Sequence, residues 1–505
     1  MTGVANNAAS RPNIILIMTD QQRFDTIGAW GCDYMRTPAM DRLAAEGLSF
    51  RNAFCPGATC VASRAAIFTG MYPHNTGAYS FDHWADHRNW VEDLNEGGYH
   101  CVNMGKMHFT PRDVAGGFHE RVIVENPTSK HMDQGGADDD WGRFMRIHGV
   151  QRPNDRNQTD PEWLQKYQGV PWHLEEKFHS DVFIGDSAKA WIRDYKGEKP
   201  FFLQVGFTGP HEPWDPLQRH LDLYEGREMP PAVFREGELD DKPPQHAAHK
   251  EMHATTGHES VIDMYSPDAE DIARMRRHYY AKITTVDEQL GQVLEALESR
   301  GFLDNSLLLF CSDHGEMLGD HTMAYKWLMY DPIVHVPLIV RDSRREQSGD
   351  ETQDLVSLMD LGPTILAAAG IEVPSYLEGR SLLPYVGEKA DDFAPREWVF
   401  CEDNYQVMMR GERYKMVYYI GQEQGELYDL EQDPHELWNL WGKAEHQALQ
   451  NELLVRLLRW LASSTYYNAG YRRQRSKQYG MRWPSADNAV MHGAEGRPVA
   501  RSFDL

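Results

Sequence analysis

Three apolar runs, each ending in titratable residues, constrain the fold more than anything else in this chain. Asn13-Ile14-Ile15-Leu16-Ile17-Met18 leads into Thr19-Asp20, and Phe201-Phe202-Leu203-Gln204-Val205-Gly206-Phe207 leads into Thr208-Gly209-Pro210-His211. Ser306-Leu307-Leu308-Leu309-Phe310-Cys311 leads into Ser312-Asp313-His314-Gly315. A nearly continuous aliphatic run without polar alternation predicts a strand covered on both faces, as in a parallel sheet flanked by helices. Sheets of that kind bind ligands beyond the carboxyl ends of their strands, where these three segments turn polar.

Helical patterns lie between the runs, at Thr37 to Glu46, Phe183 to Tyr195 and Asp268 to Arg300. The alternation predicts an α/β fold, a large mostly parallel sheet sandwiched by helices. From about Arg396 the pattern changes. Short strand candidates at Glu397 to Cys401, Tyr405 to Met409 and Tyr414 to Ile420 precede a helix near Gln447 to Ser463, which predicts a smaller C-terminal antiparallel α+β subdomain. The expected division is a large domain over 10–385, the subdomain over 386–470, and a tail or oligomerisation arm over 471–505. Gly135 to Trp172 and Glu236 to Ser266 are polar and without clear period, so both read as surface excursions. His246, His249, His253 and His258 in the second are read as a solvated loop rather than a metal site.

Charge excludes one class of partner. With 51 basic against 76 acidic residues, a formal charge of −25 repels a polyanion over most of the surface and argues against nucleic acid. An anionic substrate must then meet a locally positive pocket. Met1 to Arg11 carries no basic then apolar leader, and Ile14 to Met18 is too short to cross a bilayer, so no membrane attachment and a cytoplasmic location are expected. Cys32, Cys55, Cys60, Cys101, Cys311 and Cys401 show no CxxC spacing, which fits reduced thiols rather than a disulfide framework or zinc knuckle.

The chemistry-bearing segment is Asn52-Ala53-Phe54-Cys55-Pro56-Gly57-Ala58-Thr59-Cys60-Val61-Ala62-Ser63-Arg64. A helix beginning at the alanine and serine aims free backbone N–H groups and the Arg64 guanidinium, four positions on, at whatever occupies position 60. Such a place suits an anion. By themselves a lone cysteine and arginine here fit a buried structural cysteine beside a helix start better than an anion site.

With its continuation Ala65-Ala66-Ile67-Phe68-Thr69-Gly70-Met71-Tyr72-Pro73, the segment resembles the signature of type I sulfatases of the alkaline phosphatase superfamily, in which Cys-x-Pro-x-Arg opens the helix and Thr-Gly closes it. The resemblance implies that a formylglycine-generating maturation enzyme oxidises Cys60 to formylglycine. Ala62 stands where the usual motif has proline; a Cys-x-Ala-x-Arg variant is known in the family.

The resemblance extends in family order from Pro12 to Glu436. It implies metal ligands at Asp20, Gln21, Asp313 and His314, with Gln21 in place of an aspartate and His314 in place of an asparagine. An imidazole and one carboxylate fewer move such a site from calcium toward manganese, with either ion open. Gly105-Lys106-Met107-His108 resembles the family's Gly-Lys-x-His, and alternation would send Lys106 and His108 to one side of an extended segment. His211 and Lys326 match the strand-end histidine and second lysine. Glu426 to Glu436 resembles a loop common in sulfatase C-terminal domains.

The implied mechanism has one hydroxyl of hydrated formylglycine, deprotonated with help from Asp313, attack the sulfur of a small anionic ester. His211 and Lys326 neutralise the leaving oxygen, His108 takes the proton of the second hydroxyl, and Arg64 and Lys106 hold geometry and charge. The function expected is hydrolysis of aryl, sugar or alkyl sulfate monoesters. The same scaffold hosts phosphonate monoester and phosphodiester hydrolases. Members of the phosphonate and choline-sulfate branches carry an asparagine where this chain offers Phe81, with Asn75 nearby. A relative that binds metal and oxyanion without catalysis, should Cys60 stay a thiol, is the third reading. The aromatic segment Tyr72 to Trp90 reads evenly as a pocket wall or a packed loop.

Overall fold

The computed structural model describes residues 11–79, 84–125, 139–153, 169–255, 267–345, 349–387 and 394–470. Among them a nine-stranded sheet runs in the order β4-β3-β5-β1-β6-β8-β2-β7, with β9 also paired to β2. These strands are β1 (Asn13–Asp20), β2 (Leu48–Phe54), β3 (His100–Gly105), β4 (Glu120–Ile123), β5 (Phe201–Pro210), β6 (Ser306–Ser312), β7 (His335–Val336), β8 (Leu338–Asp342) and β9 (Asp350–Ser357). From β4 to β6 every pairing is parallel; β8 then runs antiparallel to both β6 and β2.

Burial on both faces explains the apolar runs. Ile14, Leu16 and Met18 enter one core while Ile15 and Ile17 enter the other, and on β6 Leu307, Leu309 and Cys311 part in the same way from Leu308 and Phe310. Each fully buried aliphatic side chain contributes about 1.5–3 kcal/mol, so a strand with no polar face is stable only between two helical layers. Helices Cys60–Thr69, Trp90–Glu96 and Leu361–Ala368 pack on one side. Helices Pro38–Glu46, Ser180–Asp194 and Ala269–Ser299 pack on the other.

A separate antiparallel sheet follows, with β10 (Val399–Asp403), β11 (Gln406–Arg410), β12 (Tyr414–Tyr419) and β13 (Gly425–Asp429) in sequential order. Helix Gln447–Tyr467 covers it through Leu453, Leu457 and Trp460, spaced as one helical face, and Trp460 stacks on Phe400 at 3.9 Å.

Several expectations change. Residues 236–266 are not simply an excursion: Pro244–Thr255 is helical, and His246 and His249 are buried, His246 Nε2 lying 3.4 Å from Glu426 Oε1. A charged partner and a core position replaced the solvated loop. The side chains of His253 and His258 lie outside the described residues, as do Phe81 and the whole 471–505 arm. In the first polar stretch, of which 139–153 and 169–172 are described, Asp140–Ile147 is a helix burying Trp141 and Met145. The Glu426 end of the expected loop is strand β13, because Leu427 inserts into the subdomain core. Among the described residues no helix is long and apolar enough to cross a membrane.

Candidate active site

Register brings the strand ends to one edge. Thr19 pairs with Ser312 and Gly105 with Gly206, so Asp20, Lys106, His211 and Asp313 all follow from neighbouring strands at the same level. Gly105 is obligatory there: it has φ 105°, and a Cβ on it would meet the Gly206 carbonyl oxygen at 2.1 Å. The helix after β2 starts at Cys60 itself, two residues earlier than the sequence indicated. Thr59 is its N-cap residue, and Gly70, left-handed at φ 69°, ends it.

Arg64 points back from the second turn into the strand ends. Its Nε donates to Asp313 Oδ2 at 2.7 Å, its Nη1 to the Lys106 carbonyl at 2.8 Å, and its Nη2 to Asp20 Oδ2 at 3.4 Å. Lys106 Nζ also pairs with Asp20 Oδ2. Burial would raise the Asp20 carboxyl, but Lys106 foremost, then His211, Arg64 and Lys326, hold it well below the usual carboxylate range. Burial opposes the charge of Arg64 as well, and Asp313 and Asp20 outweigh it, so its pKa rises.

One corner of this cluster has the composition of a cation site. Asp20, Asp313 and His314 each place a ligand atom within 4.8 Å of the others, all three fully buried. His314 Nδ1 donates to the Gly315 carbonyl at 2.8 Å, which leaves the Nε2 lone pair facing Asp20 Oδ1 and Asp313 Oδ1, each 3.8 Å away. Neither His314 Nε2 nor Asp20 Oδ1 has a hydrogen-bond partner. Two buried acceptors left without donors cost free energy unless something positive sits between them. Two carboxylates and an imidazole fit a divalent metal.

Gln21 reaches the same space but is engaged otherwise. Its backbone is left-handed at φ 68°, its carboxamide oxygen accepts from Lys326 Nζ at 2.7 Å, and its amide donates to Glu212 and Glu316. Burial, then Glu212, pushes the Glu316 carboxyl up to about 7. Glu316 also accepts the Leu318 and Tyr325 N–H groups, tying the loop after β6 to the Lys326 segment. Sequence reasoning missed Glu212 and Glu316, which have no periodicity and no motif to mark them.

Cys60 is 3 % exposed, with Lys326 Nζ 4.0 Å from its Sγ. Burial would raise the thiol, but Lys326, Lys106 and His314 bring it below its ordinary value. Burial works against Lys326 too, and Cys60 and Glu212 outweigh it, so that ammonium stays charged. His108 does not extend from β3 as alternation implied. The strand ends at Gly105, and His108 turns left-handed at φ 62°, its N–H on Glu125 and its carbonyl held by Trp84 Nε1. It nevertheless reaches the field of Lys106, which after burial is the main reason its pKa falls to about 4. His211 is buried, its Nδ1 donating to the Glu212 carbonyl at 2.7 Å, and burial together with Lys326 holds it well below its ordinary value. Both imidazoles are neutral.

Left-handed backbone at Gln21, His108, Tyr325 and Trp327 concentrates around these groups. At non-glycine residues such conformations cost on the order of 1–3 kcal/mol each and persist where surrounding structure enforces them. Within Tyr72 to Trp90, Trp84 and Trp90 are fully buried in the core, whereas Tyr72 lines a small cavity with Glu378, Arg396 and Trp460. Asn75 turns away from the site, donating to Glu378 and Ser464.

The C-terminal subdomain closes the site. Glu402 N donates to the Pro56 carbonyl at 2.9 Å, Gln406 Nε2 to the Trp327 carbonyl at 2.8 Å, and Trp327 N to the Ala58 carbonyl at 3.1 Å. The hairpin of β10 and β11 thus bridges the loop before Cys60 and the loop carrying Lys326.

Comparison with known proteins gives the chain a family. Residues 12–371 match the Sulfatase family and 319–462 the C-terminal region of N-sulphoglucosamine sulphohydrolases. An arylsulfatase of Clostridium perfringens is 31% identical over 457 residues, covering 86% of this chain and 92% of that protein. An N-acetylglucosamine-6-O-sulfatase of Bacteroides thetaiotaomicron is 27% identical, covering 88% and 85%. The crystal structure of a phosphonate monoester hydrolase of Agrobacterium radiobacter superposes with TM-score 0.76 at 26% identity, over 90% of this chain and 96% of that one. With the strand-end cluster, the buried cysteine on its helix and a family match across most of its length, this chain belongs to the sulfatase family of the alkaline phosphatase superfamily.

Proposed function

We propose that the chain is a sulfuric ester hydrolase that cleaves sulfate monoesters at Cys60 after that residue is matured to formylglycine. One observation carries the reading. Cys60 opens a buried helix directly over Arg64, Lys106 and Lys326, with Asp20, Asp313 and His314 beside them. Formylglycine supplies a hydrated aldehyde as nucleophile, and a divalent metal supplies Lewis-acid polarisation.

Asp20, Asp313 and His314 would hold the metal. Gln21 would be the fourth ligand once Lys326 turns from its carboxamide to the substrate. The mixed oxygen and nitrogen donor set favours manganese over calcium. Arg64 orients Asp313 and Asp20, and with Lys106 it provides the positive field that a sulfate needs inside an acidic protein. Lys326, held protonated, carries charge to the leaving oxygen. His108, held neutral beside Lys106, is the proton acceptor, and neutral His211 stands with Lys326 to meet the leaving oxygen. A cytoplasmic location goes with this reading, supported by six free buried cysteines.

The phosphonate monoester hydrolase reading is the second, favoured by the superposition above and by Gln21 and His314 in the ligand set. The deciding experiment uses protein purified from its own host. Mass spectrometry of the tryptic peptide Asn52 to Arg64 should find residue 60 as formylglycine, and kcat/KM should be higher for an aryl sulfate than for the matched phosphonate ester. An unmodified thiol throughout, or a phosphonate preference, would reject it. So would Cys60→Ala retaining full turnover.

A further inference from the structure

Asp403 ends β10 at the tip of the subdomain hairpin and takes no part in the chemistry assembled above. It is fully buried. Its Oδ1 accepts from Asn404 Nδ2 at 2.8 Å, whereas Oδ2 has no hydrogen-bond donor. The carboxyl lies within the field of Cys60 and Lys326, with the Thr59 hydroxyl beside it. Thr59 is the N-cap residue of the nucleophile helix, yet its side chain makes no capping bond and its Oγ1 completes no hydrogen bond elsewhere. A carboxyl and a hydroxyl are therefore held together, unsatisfied, one residue from the nucleophile.

The Thr59 hydroxyl lies close enough to act on the Asp403 carboxyl, yet neither Thr59 Oγ1 nor Asp403 Oδ2 completes a hydrogen bond. Leaving a buried acceptor unmade costs about 1–3 kcal/mol, and an apolar side chain at the hairpin tip would avoid the penalty. The hairpin is fixed by its bonds to Pro56 and Trp327, so Asp403 has no slack with which to find another partner. With the Thr59 bond left incomplete, Oδ2 keeps the capacity to accept a donor from outside the chain. A cationic donor is disfavoured, because Arg64, Lys106 and Lys326 already make this region positive.

We propose that Asp403, with Thr59, binds substrate by accepting a hydrogen bond from a hydroxyl on the alcohol portion of the ester, so that sulfates of sugars or other polyols are preferred over esters of hydroxyl-free alcohols. The proposal rests on Cys60 being the reacting centre. A site built around a substrate hydroxyl discriminates strongly against the analogue that lacks it, since the protein's own polar group is then left unpaired.

The test uses full-length protein from its own host and the ratio of kcat/KM for glucose 6-sulfate to that for cyclohexylmethyl sulfate, whose ring has similar size and no hydroxyls. Wild type should favour the sugar, and Asp403→Ala should lower the ratio by roughly three- to tenfold, the weight of one ordinary hydrogen bond. Asp403→Asn, which keeps the shape and one acceptor oxygen, should lower it less, and it reports in place of the alanine variant if that one does not fold. The same ratio in wild type and both variants would overturn the proposal, as would a wild-type preference for the carbocycle. If wild type hydrolyses phosphonates but no sulfate, the sulfatase reading fails by itself. The ratio for methylphosphonate esters of the two alcohols then decides the role of Asp403.

Discussion

Arg64 Nε lies 2.7 Å from Asp313 Oδ2, and neither side chain has any exposure to solvent. This pair joins the helix Cys60–Thr69 to the end of β6, and the same guanidinium holds the Lys106 carbonyl at the end of β3. A buried ion pair of this kind is weak evidence of net stabilisation against an apolar substitute, but breaking it leaves a charge stranded. Its value here is geometric: it fixes the helix start, and so residue 60, relative to two strand ends.

Arg64→Ala should therefore lose both activity and stability. Removing one partner of a buried pair costs about 3–5 kcal/mol, so chemical denaturation should show a fall of that order along with loss of measurable turnover. Stability retained within 1 kcal/mol or so would show that the pair is not structurally coupled.

Gly105→Ala should be as damaging with no change in charge. The added methyl would collide with the Gly206 carbonyl at a left-handed position, displacing Lys106 next to it. The expected result is poor soluble yield, and in what folds, a lower kcat. Ordinary yield and kcat would show that the β3 to β5 junction relaxes without consequence.

A chelator should lower the melting temperature of the wild-type protein, and divalent metal should restore it. Binding to the folded state alone adds about 2.7 kcal/mol at a hundredfold excess over Kd. His314→Ala should abolish the chelator effect and reduce the metal content measured by mass spectrometry, because it removes the nitrogen facing Asp20 and Asp313.

Gln406→Ala should weaken the hold of the subdomain on the Lys326 loop. Its bond to the Trp327 carbonyl is worth about 1 kcal/mol in stability, while the catalytic cost should be larger, because the cation beside residue 60 loses its anchorage. Stopped-assay kcat and thermal unfolding of the same preparation separate the two effects.

A pH test addresses the far face of the sheet. Asp287 accepts the Ala39 and Met40 N–H groups at 2.9 and 2.8 Å, and burial pushes its carboxyl up to about 7. A folded value above the unfolded one means that the protonated form adds stability at low pH. That contribution is complete below the unfolded value near 3.8 and is lost as pH rises through about 7. Between pH 5 and 8 the wild type should lose on the order of 1–3 kcal/mol relative to Asp287→Asn, read by urea unfolding at each pH. A pH-independent difference would show that the helix N–H groups keep Asp287 ionised throughout.

Legibility in the sequence followed the range of the interactions. Strands β1, β5 and β6 could be read because burial on both faces leaves a local pattern, whereas β2, with polar Arg51 and Asn52 in its second half, and edge strand β4, with no fully buried residue, leave none. His108 was legible as a residue and misread in geometry, since a left-handed backbone beyond a strand end depends on Glu125 and Trp84 holding it. Pro244–Thr255 was misread because polar composition concealed a helix whose His246 meets Glu426 from the other sheet.

What the sequence alone determined was the strand runs, their polar ends, and the Cys60 to Thr69 segment with Arg64 one turn in, because each of these is written within about ten consecutive residues. Only the tertiary structure decided that Gln21 spans Lys326, Glu212 and Glu316, and that Asp403 stands beside Thr59 and Cys60. Those groups come from segments hundreds of residues apart. Their meeting depends on which strands are neighbours in the large sheet and, for Asp403, on how the second sheet packs against it, and no local pattern of side chains encodes either.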